Sequence, residues 1–503
     1  MVRAAVGPAW GRAALLACAW WGGCCSDGAL PLDIEATVVP LRKDSNEGRL
    51  PHADDGAAGS AASAELSFLG CLRLRAAGAN ARAFGGISGA ALNGSRLVLV
   101  SDTKPMDPAP GESPKDEDSH WGAGRLFVAD LLFAQEGLGR GVRPVGVRNA
   151  SVRQLRDRYG DVVSRNYFRG DTESIAVDWP GPLFVGVEHT HVVRRYAVMS
   201  DAFGPADAVT VGTPKLLGAR GFDKSLKHLH GVGAQLQGCT ADGGNNGAEA
   251  LARLRGDRMF VVCEHDTPGS SPASTIGWLA DESTGRILAT YNLMLPRVHS
   301  ARGDVFYRVS GSSAVPGTDD VLVLFHYWSW KTGNLVKLGR ATLATKPPPD
   351  GAGREVGAEA ARVDLTTEEL LDLRERDGYP VGNFEAVVVV PTEEPDTYGV
   401  HLLSDNNFDE RHQRTLLFSM LMRDRAGTAL LGASGGAPIS AGALAAATQS
   451  HPGGGSLAAG VALVVSTTAA LSLVALRAHC YQRKRGGMIA EATDSSWLSI
   501  DIE

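Results

Sequence analysis

Acidic residues recur in this sequence at two kinds of place, where apolar segments begin and where they end. Glu173, Glu249 and Glu385 each come just before an apolar segment. Another such segment ends in "HLLSDNNF", residues 401–408, where two leucines run into four consecutive polar side chains. An apolar strand ends on such a run when the run meets water, a ligand or a metal. These acidic and amide residues are therefore the first candidates for chemistry.

The polar residues that end the apolar segments favour a metal site. Several like charges at close range are unfavourable unless they are protonated or neutralised by a cation. Calcium accepts six to eight oxygen ligands in flexible geometry, so carboxylates and Asn amides suit calcium better than zinc. A bound calcium ion would hold a phosphate ester and activate water. The predicted metal ligands are Asp102, Glu188, Glu264, Asp405 and Asn407.

The residues that begin the apolar segments are predicted to be catalytic, with a structural alternative. Glu173, Glu249 and Glu385 either act on a substrate or cap backbone amides and hold neighbouring sheets together. His189 and His265 each follow a glutamate at the same place in two repeats. That position suits a general acid or a phosphate-binding group, and a hydrogen-bonded structural histidine is the alternative.

Matching segments repeat along the chain and predict the elements that position these residues. Each begins with Ser or Glu and a small residue, continues as an apolar strand, turns, and ends a second apolar strand on Ser-Asp or Glu-His. Apolar runs around turn residues are typical of β-hairpins. Four clear copies and one fainter copy are present: residues 85–102, 171–189, 247–265, 383–407 and, fainter, 310–328, where the second strand is predicted to end on His326.

Repeated hairpins with few helices over this length favour a β-propeller. The segments "RLFVADL" and "HVVRRYAV" are predicted outer strands, and "TTEELLDLRER", residues 366–376, is the one predicted short helix. In a propeller the inner strands converge on one axis, so strand ends that are far apart in sequence become neighbours. The predicted fold class is all-β: a β-propeller-like ectodomain of repeated blades, plus one transmembrane helix.

Five of these motifs, in this order, resemble the phytase-like family, also known as esterase-like activity of phytase. They are "GGISGAAL…LVSD", "DTESIAVD", "NNGAEAL", "NFEAVVV" and "LLSDNNF…QRTLLF", and the resemblance spans residues 65–422. It implies a β-propeller-like fold and a hydrolase, most simply a metal-dependent phosphoric ester hydrolase. The family's acidic positions fall on Glu173, Glu249 and Glu385. Its Ser-Asp position falls on Asp102 and its Ser-Asp-Asn-Phe position on Asp405, Asn407 and Phe408; "LFHYWSW" departs from the pattern.

The two ends of the chain predict a single-pass membrane protein. Residues 1–27 combine an early arginine, a short apolar run and small residues, the layout of a secretory signal peptide. Residues 457–476 form an uncharged stretch long enough to cross a bilayer. Arginines and a lysine follow at once, which marks the cytoplasmic side. The predicted localisation is therefore type I in a membrane, with an extracellular or lumenal ectodomain.

Composition divides the rest of the chain. Residues 28–64 are predicted to be a flexible leader, 65–424 the phytase-like propeller, 425–456 a low-complexity stalk and 477–503 a cytoplasmic tail. The net charge of −7 indicates no nucleic-acid partner. The expected partners are a small anionic or ester substrate and the membrane.

Two kinds of covalent modification are compatible with a secretory route. The sequons at Asn93 and Asn149 are predicted glycosylation sites. The cysteines do not form a disulfide framework, but one bridge between Cys239 and Cys263, with Cys71 as a spare thiol, is a hypothesis. The leading functional prediction is a membrane-anchored phytase-like hydrolase. The alternative is a non-catalytic propeller that binds a small ligand, a glycan or a protein.

Overall fold

The described part of the chain is made almost entirely of β-strands. Its computed structural model describes residues 30–41, 63–78, 80–102, 124–155, 171–177, 182–187, 192–196, 215–217, 239, 247–264, 273–300, 303–343, 362–409 and 411–425. Within these ranges there is no α-helix, and no helix long and apolar enough to cross a membrane. The predicted signal peptide, transmembrane helix, cytoplasmic tail and all of the stalk except Arg425 lie outside the described residues.

Most strands form antiparallel units, which we call blades 1 to 5 and describe from the innermost strand outward. Blade 1 contains β3 (Ile87–Asn93), β4 (Arg96–Ser101), β5 (Arg125–Phe133) and β6 (Pro144–Gln154). Blade 2 contains β7 (Thr172–Val177), β8 (Leu183–Val187), β9 (Val192–Tyr196) and β10 (Lys215–Leu217). Blade 3 contains β11 (Ala248–Leu254), β12 (Arg258–Cys263), β13 (Ser274–Asp281) and β14 (Ile287–Met294), with β20 (Val363–Leu365) added in parallel to β14.

Blades 4 and 5 each complete their sheet with a strand that is not next in the chain. Blade 4 contains β17 (Arg308–Ala314), β18 (Asp320–Ser329), β19 (Gly333–Thr342) and β21 (Glu368–Arg374). Blade 5 contains β22 (Asn383–Pro391), β23 (Thr397–Asp405), β24 (Thr415–Asp424) and β2 (Ala64–Ala77). A separate hairpin, β15 (Arg297–Ser300) with β16 (Gly303–Phe306), connects blades 3 and 4.

The innermost strands of the blades close into a ring. In sequence order β3 contacts β7, β7 contacts β11, β11 contacts β17 and β17 contacts β22, and β22 then contacts β3 again. Five antiparallel sheets whose first strands surround one axis form a five-bladed β-propeller. The repeats predicted from the sequence therefore correspond to blades 1 to 5, and the faint copy is blade 4.

Two N-terminal strands, β2 and β1, connect the last blade to the first. β2 pairs with β24, so the last blade contains both an early and a late strand. β1 (Leu30–Val38) then pairs with β2 on one side and with β6 on the other, which joins the outer strands of blades 5 and 1. The prediction of a flexible leader over residues 28–64 is therefore wrong for β1. The weak apolar pattern of this strand reflects its position at the outside of the sheets.

Apolar clusters fill the space between every pair of neighbouring blades. Along β4, Leu97 and Leu99 pack toward blade 5, whereas Val98 packs toward blade 2. Successive side chains of a strand point to opposite faces. A blade is covered on both faces, so its strands are apolar at nearly every position rather than at alternate ones. The continuous apolar runs in the sequence have this cause.

The predicted helix over residues 366–376 is wrong. Its centre forms β21, the outermost strand of blade 4, which pairs with β19 from Leu335↔Arg374 to Arg340↔Glu368. The residues Leu370, Leu371 and Leu373 are buried in the interface with blade 5. Helix propensity amounts to less than about 1 kcal/mol per residue. The hydrogen bonds and the burial that the segment gains at the open edge of β19 outweigh it.

Candidate functional site

The acidic positions predicted from the sequence gather at one edge of the propeller. We call it the upper edge, where the innermost strands begin and the second strands end. In every blade the innermost hairpin has an irregular register at its first residues. A β-bulge of this kind re-aims one side chain out of the regular alternation. The residues at the five equivalent bulges are Ser88, Glu173, Glu249, Ser310 and Glu385.

Serine hydroxyls at this level tie neighbouring innermost strands together. Each donates a hydrogen bond to the carbonyl group just before the bulge of the next blade. These bonds run from Ser88 to Thr172, from Ser174 to Ala248 at 2.8 Å and from Ser310 to Phe384 at 2.9 Å. Two of the five bulge residues, Ser88 and Ser310, therefore hold neighbouring blades together. This is the structural role that was the alternative to catalysis for the glutamates.

The innermost strands approach each other too closely for large side chains after the bulge. A Cβ atom at Gly311 would lie 2.8 Å from the backbone oxygen of Glu385 in the next blade. The five residues after the bulges are accordingly small: Gly89, Ser174, Ala250, Gly311 and Ala386. This close approach narrows the axis at the upper edge and explains why each repeat has a small residue after its Ser or Glu.

Two of the predicted catalytic glutamates share a cavity on the axis. Glu249 and Glu385 both line a space of about 10 Å³, which is room for about one water molecule. Glu249 is buried, and the side-chain amide of Asn383 donates a hydrogen bond to Glu385 Oε1. Glu173 has the matching bulge position in blade 2 but does not line this cavity. The other polar side chains of the lining are Ser88, Ser174 and Ser312.

A larger cavity continues along the axis toward the opposite edge. Its volume is about 250 Å³. Most of its lining is apolar and comes from all five innermost strands, with Arg253 and two serines, Ser312 and Ser313, as the polar exceptions. Among the described residues that line these two cavities, the acidic groups are therefore confined to the upper end.

A second group of predicted residues meets at the junction of blades 1 and 5, around a buried arginine. Arg125, the first residue of β5, has no exposed surface. Its Nε donates to Ser101 Oγ at 3.2 Å and its Nη1 donates to the carbonyl oxygen of Ala83 at 3.1 Å. The guanidinium carbon lies 4.6 Å from the centre of the Phe408 ring. Arg125 is thus held by backbone, hydroxyl and aromatic groups.

The carboxylates of Asp102 and Asp405 balance this charge. Burial lowers the pKa of Arg125 to about 10, and the two carboxylates counteract the decrease. The guanidinium remains protonated at neutral pH because even the lowered pKa lies well above 7. Asp405 is itself buried. A buried charge is tolerated only when an opposite charge or hydrogen bonds stabilise it, and Asp102 and Asp405 provide the opposite charge for Arg125; we call the three residues the Arg125 cluster.

The remaining residues of "SDNNF" complete this junction. Asn406 Oδ1 accepts hydrogen bonds from the backbone N–H groups of Gly86, at 3.4 Å, and Phe408, at 3.0 Å. Gly86 has φ +62°, and a Cβ atom there would lie 2.1 Å from Asp102 Oδ1 and 2.4 Å from the Phe408 ring. The "GG" of blade 1 and the "NNF" of blade 5 are therefore complementary surfaces that close the ring.

Asp405 and Asn407, two of the predicted metal ligands, do not lie on one face of an extended strand. β23 ends at Asp405, and Asn407 and Phe408 have φ +49° and +54°. Strand alternation does not continue through residues in the left-handed region. Asn407 instead donates a hydrogen bond to Gln413 Oε1 at 2.7 Å. Phe408 does pack at the base of the junction, where its ring lies against Arg125.

The described residues at this junction do not fit a calcium ion. The guanidinium of Arg125 already interacts with Asp102 and Asp405, and its positive charge would repel a cation placed beside it. No three His, Cys, Asp or Glu side chains in the described ranges are grouped closely enough to hold a metal. Glu264, another predicted ligand, makes an ion pair with Arg308 at 3.4 Å. Glu188, His189 and His265 lie outside the described residues, so their predicted roles stay predictions.

The sequence-based reasoning missed Arg125 and Asn406. Arg125 opens the otherwise apolar run "RLFVADL", and a charge at the start of a doubly buried strand is the signal that could have identified it. Asn406 is absent from the predicted residues of "SDNNF", although it lies between two of them in sequence. Both residues act in a contact between blades 1 and 5, which no local pattern encodes.

The described part of the chain contains one disulfide bond, one free thiol and the two asparagines predicted to be glycosylated. Cys239 and Cys263 form a disulfide bond, as hypothesised, and Cys71 is a buried free thiol. Cys263 ends β12, directly before Glu264 at the upper edge. Asn93 is exposed at the end of β3, and the exposed Asn149 donates a hydrogen bond from Nδ2 to Asp130 Oδ2 at 2.8 Å. Glycosylation of either asparagine stays a prediction.

The chain is similar to solved structures at low sequence identity, among them the following two. The catalytic domain of the Coprinopsis cinerea GH62 α-L-arabinofuranosidase shares 10% identity and covers 78% of this chain and 98% of its own, with a TM-score of 0.36. The Trypanosoma rangeli sialidase in complex with the inhibitor DANA shares 11% identity and covers 79% of this chain and 60% of its own, with a TM-score of 0.31. At such scores the fold assignment rests on the strand topology described above.

The comparison with protein families shows which family the chain belongs to, which the structural likenesses do not. The chain matches none of the curated proteins. The family described as phytase-like, esterase-like activity of phytase, matches residues 82–408. This match runs from just before blade 1 to Phe408, so it includes the bulge residues of all five blades and both halves of the Arg125 cluster. The chain therefore belongs to the phytase-like family.

Proposed function

We propose that this protein is an ester hydrolase whose reaction occurs at the upper end of the propeller axis. The observation that carries the proposal is the shared cavity of Glu249 and Glu385. Two glutamates that line one cavity with room for about one water molecule suit general acid–base chemistry. The substrate class is a small ester, and a phosphoric ester follows most directly from the family. The membership itself indicates a hydrolase without naming a substrate.

Glu385 is the proposed general base. Its carboxylate accepts a hydrogen bond from the amide of Asn383, and a base held in one orientation can take a proton from a water molecule. Glu249, the more deeply buried of the two, is the proposed general acid that protonates the leaving oxygen. The ester would approach from above, because the cavity itself holds only a water molecule.

Removal of either carboxylate function is expected to reduce hydrolysis by at least about 100-fold, the lower end of what general acid–base groups contribute. Initial rates of the full chain with p-nitrophenyl phosphate, bis(p-nitrophenyl) phosphate and p-nitrophenyl acetate test this for Glu249→Gln and Glu385→Gln. Glu394→Gln is the matched control, since this side chain is 68% exposed at the lower hairpin of blade 5. Wild-type rates in both variants would refute the assignment, and no hydrolysis by the wild type would favour the non-catalytic alternative.

The predicted calcium enters the same experiment as a separate arm. Rates measured with calcium and with a chelator decide whether a cation contributes. A loss on chelation that calcium restores would support a metal site that includes residues beyond the described ones. Equal rates would remove calcium from the reaction and leave the carboxylate pair as its basis.

We also propose that the propeller lies on the extracellular or lumenal side of a membrane. The end sequences motivate this topology, and the Cys239–Cys263 disulfide supports it because such bonds persist in oxidising compartments. Protease added to sealed vesicles from the cytosolic side is expected to remove only the tail after residue 476. Digestion of the propeller in intact vesicles would contradict the topology, and protection that survives detergent would invalidate the assay rather than support it.

A further inference from the structure

The hairpin of β18 and β19 extends above the upper edge of blade 4. The innermost strand β17 pairs with β18 only as far as Arg308↔His326. β18 then continues with β19 to the pair Ser329↔Gly333. The prediction that this second strand ends on His326 is therefore wrong. At about 3.3 Å per residue, Trp328 stands roughly 10 Å above the level of the Ser310 bulge, and we call Tyr327 to Asn334 the arm.

The arm presents two tryptophans to solvent. Trp328 is 61% exposed and Trp330 is 78% exposed, the largest exposed fractions among the aromatic side chains of the described chain. Lys331 Nζ lies 4.9 Å from the centre of the Trp330 ring. Large aromatic side chains are normally buried because each removes 150–250 Å² from water. Two of them at a protruding tip indicate a surface that contacts something else.

The base of the arm is rigid. His326 Nε2 and Asn334 Oδ1 lie 3.0 Å apart in a cross-strand hydrogen bond, and Tyr327 makes an edge contact with Tyr307 at 6.3 Å between ring centres. At the tip the hydroxyl groups of Ser329 and Thr332 are hydrogen-bonded at 2.7 Å. The turn is thus held by its own polar groups. Rigid aromatic side chains bind with little loss of conformational entropy.

The exposed area argues against a protein partner or a second copy. Taking about 250 Å² for a complete tryptophan side chain, the exposed parts of both indoles sum to roughly 350 Å². A standard protein interface needs about 800 Å² from each partner. β24 ends at Asp424 on the edge opposite the arm, and binding to a membrane is one of the outcomes of the test below. A small ring-shaped ligand matches the available area.

We infer that the arm is a carbohydrate-binding element in which sugar rings stack on Trp328 and Trp330. A pyranose ring has a face of C–H groups that covers an indole, while its hydroxyl groups at the rim stay hydrated. Such stacking uses little area and leaves no polar group of the sugar unsatisfied. Ligand sites of this kind combine aromatic surfaces with a few polar groups, here the hydroxyls and amide at the tip. The inference does not depend on hydrolysis at the axis.

Titration of the full chain with cellopentaose, chitopentaose and mannopentaose tests the inference by calorimetry. Saturable binding of at least one oligosaccharide is expected, and it should weaken at least tenfold in the double variant Trp328→Ala, Trp330→Ala. The double variant Trp328→Phe, Trp330→Phe keeps flat aromatic faces and should retain most of the affinity. Leu138→Ala is the matched control, because Leu138 is 51% exposed elsewhere on the surface.

Three results would overturn the inference: no binding of any of the three sugars, unchanged binding in the alanine variant, or an affinity lost equally in the Leu138 control. If the wild type co-sediments with phosphatidylcholine–phosphatidylserine vesicles and only the alanine variant does not, the partner of the arm is a membrane and not a sugar. If the wild type is a dimer in sedimentation velocity and only the alanine variant is a monomer, the partner is a second copy of the chain. Glu249→Gln with Glu385→Gln should bind the sugar like the wild type. That last comparison separates a failure of the arm from a failure of the proposed hydrolase.

Discussion

Replacing Arg125 with methionine is expected to lower the free energy of unfolding by about 3–5 kcal/mol. Methionine fills a similar volume but leaves Asp102 and Asp405 without the guanidinium that balances them. Removing one partner of a buried ion pair is costly because the other charge stays buried and uncompensated. The lost cation–π contact with Phe408, at 4.6 Å, adds to this effect. Urea unfolding of the wild type and the variant measures the difference.

Two further variants decide whether the charge or the packing matters. Arg125→Met combined with Asp405→Asn removes one of the two unbalanced carboxylates and should recover part of the lost stability. Arg423→Met is the matched control on β24, where the side chain is 50% exposed, and should change stability by less than about 1 kcal/mol. A loss of under 1 kcal/mol for Arg125→Met would show that the cluster is hydrated rather than buried. A double variant no more stable than Arg125→Met would assign the loss to packing.

Acid is expected to destabilise the propeller through His401, the first residue of "HLLSDNNF". This histidine is 1% exposed on β23, and its Nδ1 lies 3.0 Å from Ser419 Oγ on β24. Burial lowers the pKa of His401 to about 4. The folded state therefore keeps the ring neutral while the unfolded chain protonates it below about pH 6.5.

The sign of the effect follows from proton binding. Above pH 6.5 neither state binds the proton, and the contribution to stability is fully present. Between about pH 6.5 and 4 only the unfolded state binds it, so stability decreases as the pH falls. The expected loss is about 2 kcal/mol at pH 5 and approaches roughly 3 kcal/mol near pH 4.

Urea unfolding at pH 7 and pH 5 measures this dependence. His401→Gln can keep the hydrogen bond with Ser419 but cannot titrate, so its pH dependence should be smaller by about 2 kcal/mol. His412→Gln, in which the replaced side chain is 78% exposed, should behave like the wild type. Equal pH dependence in the wild type and His401→Gln would show that the ring is already solvated in the folded state.

The family and the repeated hairpins were readable from the sequence because both depend on local patterns. Each blade carries the same signature: a polar residue at the bulge, a small residue after it and two apolar strands. The bulge aims Glu249 and Glu385 at the axis, and the small residues allow the strands to approach. The pattern of one blade therefore contains the reason for its own geometry, and five copies in order predict a ring.

The short-range signals failed where an element depends on its neighbours. The segment at residues 366–376 has helix-forming residues, yet it is a strand because the edge of blade 4 is open to it. β1 has a weak pattern because it lies outside the sheets that it joins. Asn407 left the strand because the chain must turn after Asp405. In each case the deciding energy comes from contacts with residues distant in sequence.

The sequence by itself determined the family, the β-hairpin units, the equivalence of Glu173, Glu249 and Glu385, and the option of a bridge between Cys239 and Cys263. Only the tertiary structure decided where those positions lie relative to one another. It brought Glu249 and Glu385 to one cavity, placed Arg125 beside Asp102 and Asp405 where a metal was predicted, and extended the arm above the upper edge of blade 4. The physical reason is that charge balance and cavity shape arise between blades, where side chains far apart in the chain meet.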